Sequence, residues 1–203
     1  MSAPAARPLA DGYHDVPPGK LAAVVTSLEM RRRAEPRPEV AGANWTLRRE
    51  PKPTAEGYRA LFRRMGADWL WFSRLGMAED ELVGTIADPD VEIHLLGAGE
   101  HDEGFVELDF RIPGECEIAF FAIGAALRGR GAGRWLMNRT IALAWSRPIE
   151  RLWVHTCTLD HPDALGFYQR SGFTAYRRQV EIADDPRLSG GLPLEAARTI
   201  PRL

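Results

Sequence analysis

Cysteine is nearly absent: Cys116 and Cys157 are the only two in the chain. Two isolated cysteines provide neither a disulfide framework nor a metal-ligand spacing, and they suit a reducing, cytoplasmic setting. Long hydrophobic runs are missing as well, and none reaches the length that spans a bilayer. The N-terminus has no basic start followed by an apolar core, so no signal peptide is expected. An excess of one charge is also lacking. The formal net charge of −2 argues against nucleic acid or an anionic membrane as the main partner. The only dense basic run, Arg31-Arg32-Arg33, is flanked by Glu29 and Glu35 and reads as a solvated segment. Internal repeats are absent. What remains is an ordinary globular composition over 203 residues, 45% hydrophobic and 27% charged, enough for one domain with extensions.

Punctuation divides the chain into three parts. Residues 1–43 read as an N-terminal extension with an extended lead-in, one strand ("KLAAVVTSLEMR") and a Pro-rich linker ("RAEPRPEVAGAN"). Residues 44–183 read as the main domain, and residues 184–203 as an irregular, Pro- and Gly-punctuated tail. "WTLRRE" opens the domain as a strand. "TAEGYRALFRRMGADWLWFSRL" is helical by its stripe of Tyr58, Leu61, Phe62 and Met65, with Thr54 as N-cap. The rings of Trp69, Trp71 and Phe72 read most simply as core. "MAEDELVGTIAD" is a second short helix. "VEIHLLGA" and "GFVELDFRI" are strands. The latter alternates Val106, Leu108, Phe110 and Ile112 against Glu107, Asp109 and Arg111, the pattern of a half-exposed strand.

Pro113-Gly114 turns that strand back into "ECEIAFFAI". A two-residue turn puts Glu117 opposite Phe110, a three-residue turn opposite Asp109. A helix, the strand "RLWVHTCT", a helix from about Pro162 to Ser171 and the strand "AYRRQVEI" follow. The order is strand, helices, three strands, helix, strand, helix, strand, which predicts a mixed sheet with helices packed against it.

Between "CEIAFFAI" and the helix Arg134–Trp145 lies "RGRGAG", in which Gly129, Gly131 and Gly133 alternate with Arg128, Arg130 and Arg134. Glycines expose backbone N–H groups, a helix N-terminus presents its positive end, and arginines add charge, so the loop reads as an anion cradle. A P-loop is excluded, because Gly133-Arg134-Trp135 stands where Gly-Lys-Ser/Thr is required. A dinucleotide fingerprint fits poorly, because the spacing is G-x-G-x-G and no acid closes the next strand before Asp160.

The pattern R/Q-x-x-G-x-G/A is matched at Arg128, Gly131 and Gly133. "HPDALGFYQRSGF" matches N-x-x-A-x-x-x-Y-x-x-x-G-F at Ala164, Tyr168, Gly172 and Phe173, with His161 in place of Asn. On these two motifs the chain resembles the GNAT superfamily of acyl-coenzyme A-dependent N-acyltransferases. The resemblance implies an α/β (mixed α+β) fold: a central, mostly antiparallel mixed sheet with helices on both faces, splayed between the fourth and fifth strands. It implies acetyl-CoA as co-substrate without a metal. Phe121, Ala122 and Ile123 at the strand end, the loop Arg128, Gly129, Arg130, Gly131, Ala132, Gly133 and Arg134, and His161 would bind it. It implies a small-molecule or peptide amine as acceptor, in a site often walled by the early helices, which offers some of the rings Trp69, Trp71 and Phe72 as its lining, and it admits a homodimer.

Acyl transfer from a thioester to an amine needs a base for the amine, donors for the oxyanion and an acid for the leaving thiolate. Tyr168 is the candidate acid, since a phenol stays protonated at neutral pH; as a residue alone it reads equally as packing. Glu117 is the candidate base, the one charged residue inside "CEIAFFAI", where apolar surroundings should raise its pKa. A frayed, solvated strand start is the alternative. Glu107 and Asp109 are rival bases that a half-exposed strand would carry in any case. His155 reads as lining an acceptor cleft or as structural. Cys157 lacks an adjacent base and is not a candidate nucleophile. A non-catalytic module that binds coenzyme A or a protein partner is the alternative to an enzyme.

Overall fold

The computed structural model describes residues 9–99 and 101–202, so the first eight residues of the expected lead-in fall outside it. Among the described residues one sheet holds seven strands: β1 (Lys20–Met30), β2 (Trp45–Arg49), β3 (Val91–Ala98), β4 (His101–Asp109), β5 (Glu115–Ile123), β6 (Arg151–Cys157) and β7 (Thr174–Asp184). The helices are α1 (Ala55–Gly66), α2 (Glu79–Ile86), α3 (Ala132–Ala144) and α4 (Ala164–Arg170). The strand order is β2-β3-β4-β5-β6-β1-β7. Of these strands only β5 and β6 pair in parallel.

Helices cover both faces. On one, Tyr58 and Phe62 of α1 and Leu82 and Ile86 of α2 pack against Ile93, Leu95 and Phe105. On the other, Trp135, Leu136 and Ile141 of α3 and Tyr168 of α4 pack against Val106, Leu108, Ile118 and Val154. The expected mixed α/β architecture is therefore present. So is the splay, between the fourth and fifth strands counted from Trp45: β5 and β6 pair from Glu115–Arg151 only as far as Ile118–Val154, then part. The cause is local. The β4–β5 register shifts so that Glu107 faces Phe120 while Leu108 faces Ile118, leaving Ala119 as a bulge that bends β5. The hairpin register is the one that pairs Asp109 with Glu117. β1, from the N-terminal segment, lies inside the sheet between β6 and β7.

Two expectations need correction. The apolar stripe predicts a first helix through Leu75, but α1 stops at Gly66, and a single 3-10 turn (Ala67–Trp69) follows. Leu70 is left-handed (φ 52°), and the chain doubles back so that a Cβ on Gly66 would lie 2.6 Å from Trp71. Thr54 does cap α1, accepting from the Gly57 N–H at 3.1 Å. The second correction concerns β4, which is not half-exposed. Helices on both faces bury its polar side too, and Glu107 is 0% exposed. Its carboxylate accepts from the Tyr58 hydroxyl and, at 2.5 Å, from Arg74. Burial first, then the Glu107 charge, pushes the Tyr58 phenol well above its usual range. Ile112, counted in the apolar set, lies in the turn after β4 and is 53% exposed.

Candidate active site

The splay opens a cleft of about 590 Å³ that passes through the sheet between the ends of β5 and β6. Within it, β5 from Ala119 to Ile123 has no β6 partner, so the backbone edge facing β6 is free. Phe121, Ala122 and Ile123, the residues expected to meet the cofactor, line this stretch.

The glycine loop leads from β5 to α3. Gly131 is the N-cap of α3 with φ 89°, and Gly129 has φ 73°, both values that favour glycine. The N–H groups of Gly129, Gly131, Ala132, Gly133 and Arg134 donate to no described residue. Five backbone donors thus converge at a helix N-terminus that no side chain caps, a ready anion site. Arg128, Gly129, Gly131, Gly133 and Arg134 line the cleft, whereas Arg130 and Ala132 do not. The Nε of Arg134 is buried without a partner. These features fit a pyrophosphate, whose negative oxygens would satisfy the orphaned donors.

The linker ahead of β2 forms an outer wall of this loop, which nothing local in the sequence signals. Asn138 of α3 holds both the Arg37 N–H (3.0 Å) and its carbonyl (2.8 Å). Glu39 bonds to Arg139 at 2.5 Å. Val40 then covers Gly131 so closely that a Cβ there would lie 2.7 Å from its Cγ2.

Two of the expected cofactor-binding residues, Arg128 and His161, meet on the Trp69 ring. The Arg128 guanidinium stands 5.3 Å from the Trp69 ring, and Trp69 meets His161 edge-on at 5.3 Å. His161 Nδ1 accepts from the Asp163 N–H at 3.2 Å and so shapes the turn into α4. Trp69, Trp71 and Phe72 all line the cleft, and Trp71 also packs on the core rings of Phe62 and Phe105. Trp71 is held by Asp160, which accepts from its indole at 3.1 Å, from Thr156 Oγ1 at 2.7 Å and from the Cys157 N–H at 2.9 Å.

Tyr168 lines the cleft and is 7% exposed. Burial, reinforced by the Asp160 charge, pushes its phenol above the ordinary value. Its hydroxyl bonds to no described side chain. His155 of β6 lines the cleft, whereas its neighbour Glu117 on β5 does not. Its Oε1 lies 3.4 Å from His155 Nδ1, and this partner raises the imidazole pKa above the ordinary histidine value against the opposing effect of burial. Glu107 and Asp109 do not reach the cleft. Glu107 is locked to Tyr58 and Arg74, and Asp109 makes a bidentate pair with Arg111. Burial pushes the Cys157 thiol up to about 11, which leaves little thiolate at neutral pH. Among the described residues no group of His, Cys, Asp and Glu is arranged to hold a metal ion. Nor is any described helix long and apolar enough to cross a membrane.

Comparison with known proteins agrees with this geometry. The family model described as acetyltransferase (GNAT) family matches residues 41–173. No curated protein matches the chain. A functionally unknown conserved protein from Staphylococcus epidermidis is similar in structure, with TM-score 0.56 and 11% identity over 82% of this chain and 63% of that one. A GCN5-related N-acetyltransferase from Sphaerobacter thermophilus gives TM-score 0.57 and 14% identity over 83% of this chain and 53% of that one. An IAA acetyltransferase from Bacillus cereus gives TM-score 0.51 and 19% identity over 66% of this chain and 79% of that one. The chain thus spans less than two thirds of the first and barely half of the second, and at these identities the likeness concerns the fold. With the family model covering well over half of its length, the chain belongs to the acetyltransferase (GNAT) family.

Proposed function

We propose that the protein transfers the acetyl group of acetyl-CoA to a primary amine by direct attack within a ternary complex. The observation that carries this reading is the run of five unpaired N–H groups at the start of α3, continuous with a cleft that also holds Tyr168 and His155. Acetyl-CoA would supply the activated thioester. The loop from Gly129 to Arg134 holds its phosphates, and the free edge of β5 from Ala119 to Ile123 orients its arm. Tyr168 keeps its proton at neutral pH and donates it to the leaving sulfur. His155, oriented by Glu117 at Nδ1, takes the amine's proton at Nε2. Glu117 therefore acts through His155 as a positioning residue and not as the base in contact with the amine.

The proposed partners are small: an amine acceptor, with neither nucleic acid nor membrane. Two free thiols suit the cytoplasm as its location. The test is a thermal-shift titration with acetyl-CoA followed by a free-thiol assay over a panel of amines. A raised Tm is expected, because a ligand that binds only the folded state stabilises it, and thiol release is expected with at least one amine. An unshifted Tm at millimolar acetyl-CoA would refute the cofactor assignment. A raised Tm without thiol release from any amine would favour a non-catalytic coenzyme A-binding module.

A further inference from the structure

The two ends of the cleft differ in chemistry. On the α3/α4 side it is lined by four arginines, Arg37, Arg128, Arg134 and Arg170, against one carboxylate, Asp163. The α1/α2 side adds no arginine or lysine of its own, and Arg128 reaches across only to the Trp69 ring. The walls there are apolar: Leu21 and Ala23 of β1, Leu70 and Phe72 of the loop after α1, Leu159, and Ala183 of β7. This is one continuous surface, because β1 lies beside β7 with Leu21 opposite Ala183 and Ala23 opposite Glu181. The C-terminal tail backs it, with Leu192 and Ile200 packed on Leu21 and Leu70. Arg187 fixes the tail by donating to the Ala196 and Ile200 carbonyls at 3.2 and 2.9 Å.

The ionisable groups facing this apolar end are His155, Cys157, Asp160 and Glu181, and the thiol stays neutral because burial raises its pKa to about 11. Asp160 is committed to Trp71, Thr156 and Cys157. The Glu181 carboxylate makes no ion pair with a described residue.

We infer that the acceptor is a primary amine on a compact apolar body, aromatic or aliphatic, arriving as an ammonium ion. The inference rests on the acyl-transfer reading for the word acceptor, and on the cavity walls for the class of ligand. An apolar body against these side chains gains affinity in proportion to the surface it removes from water. A polyamine or an aminoglycoside would set several polar groups against walls that offer few partners, and each group left unsatisfied weakens binding. The carboxylates of Glu181 and Asp160 attract the ammonium, and His155 stands between them and the splay, where the proton leaves. A long acyl chain competes for the same apolar volume, but it carries no charge for Glu181 to meet.

The test uses four amines, 2-phenylethylamine, hexylamine, spermidine and kanamycin, with coenzyme A present. Binding is read by calorimetry and turnover by free thiol from acetyl-CoA. The first two amines should bind at least about tenfold more tightly than the last two, one factor of ten being about 1.4 kcal/mol. Ala183→Trp, which fills the cavity from the edge strand, should weaken both apolar amines by about tenfold or more. Glu181→Lys, a surface change that leaves the fold intact, should weaken them by a similar factor. Both variants should keep the wild-type Tm increase with coenzyme A.

Equal binding of all four amines, or preference for spermidine or kanamycin, overturns the inference while leaving acyl transfer standing. So does an Ala183→Trp effect on hexanoyl-CoA that spares the amines. Tight binding of the apolar amines without thiol release supports the ligand class and refutes the transfer reaction instead.

Discussion

Replacing Glu107 by Gln neutralises a fully enclosed carboxylate and leaves its shape. The carboxylate side chain is 0% exposed, whereas the Arg74 side chain keeps 14% of its surface. The Glu107→Gln amide retains one acceptor oxygen for two donors, the Tyr58 hydroxyl and Arg74 Nη2, which both bind the carboxylate now. Removing one member of a buried pair costs about 3–5 kcal/mol, because the remaining charge stays desolvated. The partial exposure of Arg74 places this case at the lower end, about 3 kcal/mol.

For a chain of this length that is a fall in Tm of roughly 6–12 °C, measured by scanning calorimetry. Arg74 also anchors the loop carrying Leu70, Trp71, Phe72 and Ser73 along the cleft, so acceptor binding should weaken while acetyl-CoA binding persists. The triple variant Tyr58→Phe, Arg74→Met and Glu107→Leu removes all three polar groups together. It should return to within about 1 kcal/mol of the wild type, since a buried pair replaced by apolar side chains leaves nothing unpaired. A Glu107→Gln protein melting within about 2 °C of the wild type, or a triple variant no better than the single one, would refute this account.

Tyr168→Phe should bind acetyl-CoA unchanged but lower kcat by about a hundredfold or more; an unaltered kcat in steady-state assays would remove Tyr168 as the acid. The acid limb of the kcat/KM profile should lie above the ordinary histidine value of about 6.5, because His155 must lose its proton and Glu117 raises its pKa. Glu117→Gln should move that limb to lower pH, and a limb that stays in place would contradict the dyad. In stability the sign reverses: the pair helps the folded state below the unfolded histidine value, and that help fades as pH rises through the raised one. Gly131→Ala, forced to φ 89° and against Val40, should cost more than the 1–2 kcal/mol or so of backbone strain alone. Gly129→Ala, with open space at its Cβ, should cost only that strain, and equal Tm losses would show that the linker does not press on the loop.

The anion cradle was legible because it is local. Gly131, Gly133 and the arginines sit within one loop, and the helix after them announces itself by its stripe. The α1 boundary had a local sign too, Gly66, a residue that weakens helices, but the apolar run that continues through Trp71 masks it. What the chain order conceals is anything set by distant partners. The burial of Glu107 depends on Tyr58 and Arg74, each more than thirty residues away. The alternation of β4 only looks half-exposed until α1 is laid over it. His155 meets Glu117 only because β6 lies beside β5, which sets the carboxylate against its ring.

The place of β1 sets a timetable for synthesis. Its hydrogen-bonding neighbours, β6 and β7, begin at Arg151 and Thr174, so its first partner is made about 120 residues after β1 is complete. At about 5–20 residues per second the strand waits roughly 6–24 s on the ribosome with both edges bare. Closing so long a loop costs about 4 kcal/mol plus a constant. The β2–β5 half of the sheet, built from neighbours in sequence, can form meanwhile, and the His155 side of the cleft closes last. A chaperone that shields an extended apolar segment would therefore be needed most at residues 20–30, and cutting the chain there would remove an inner plank of the sheet.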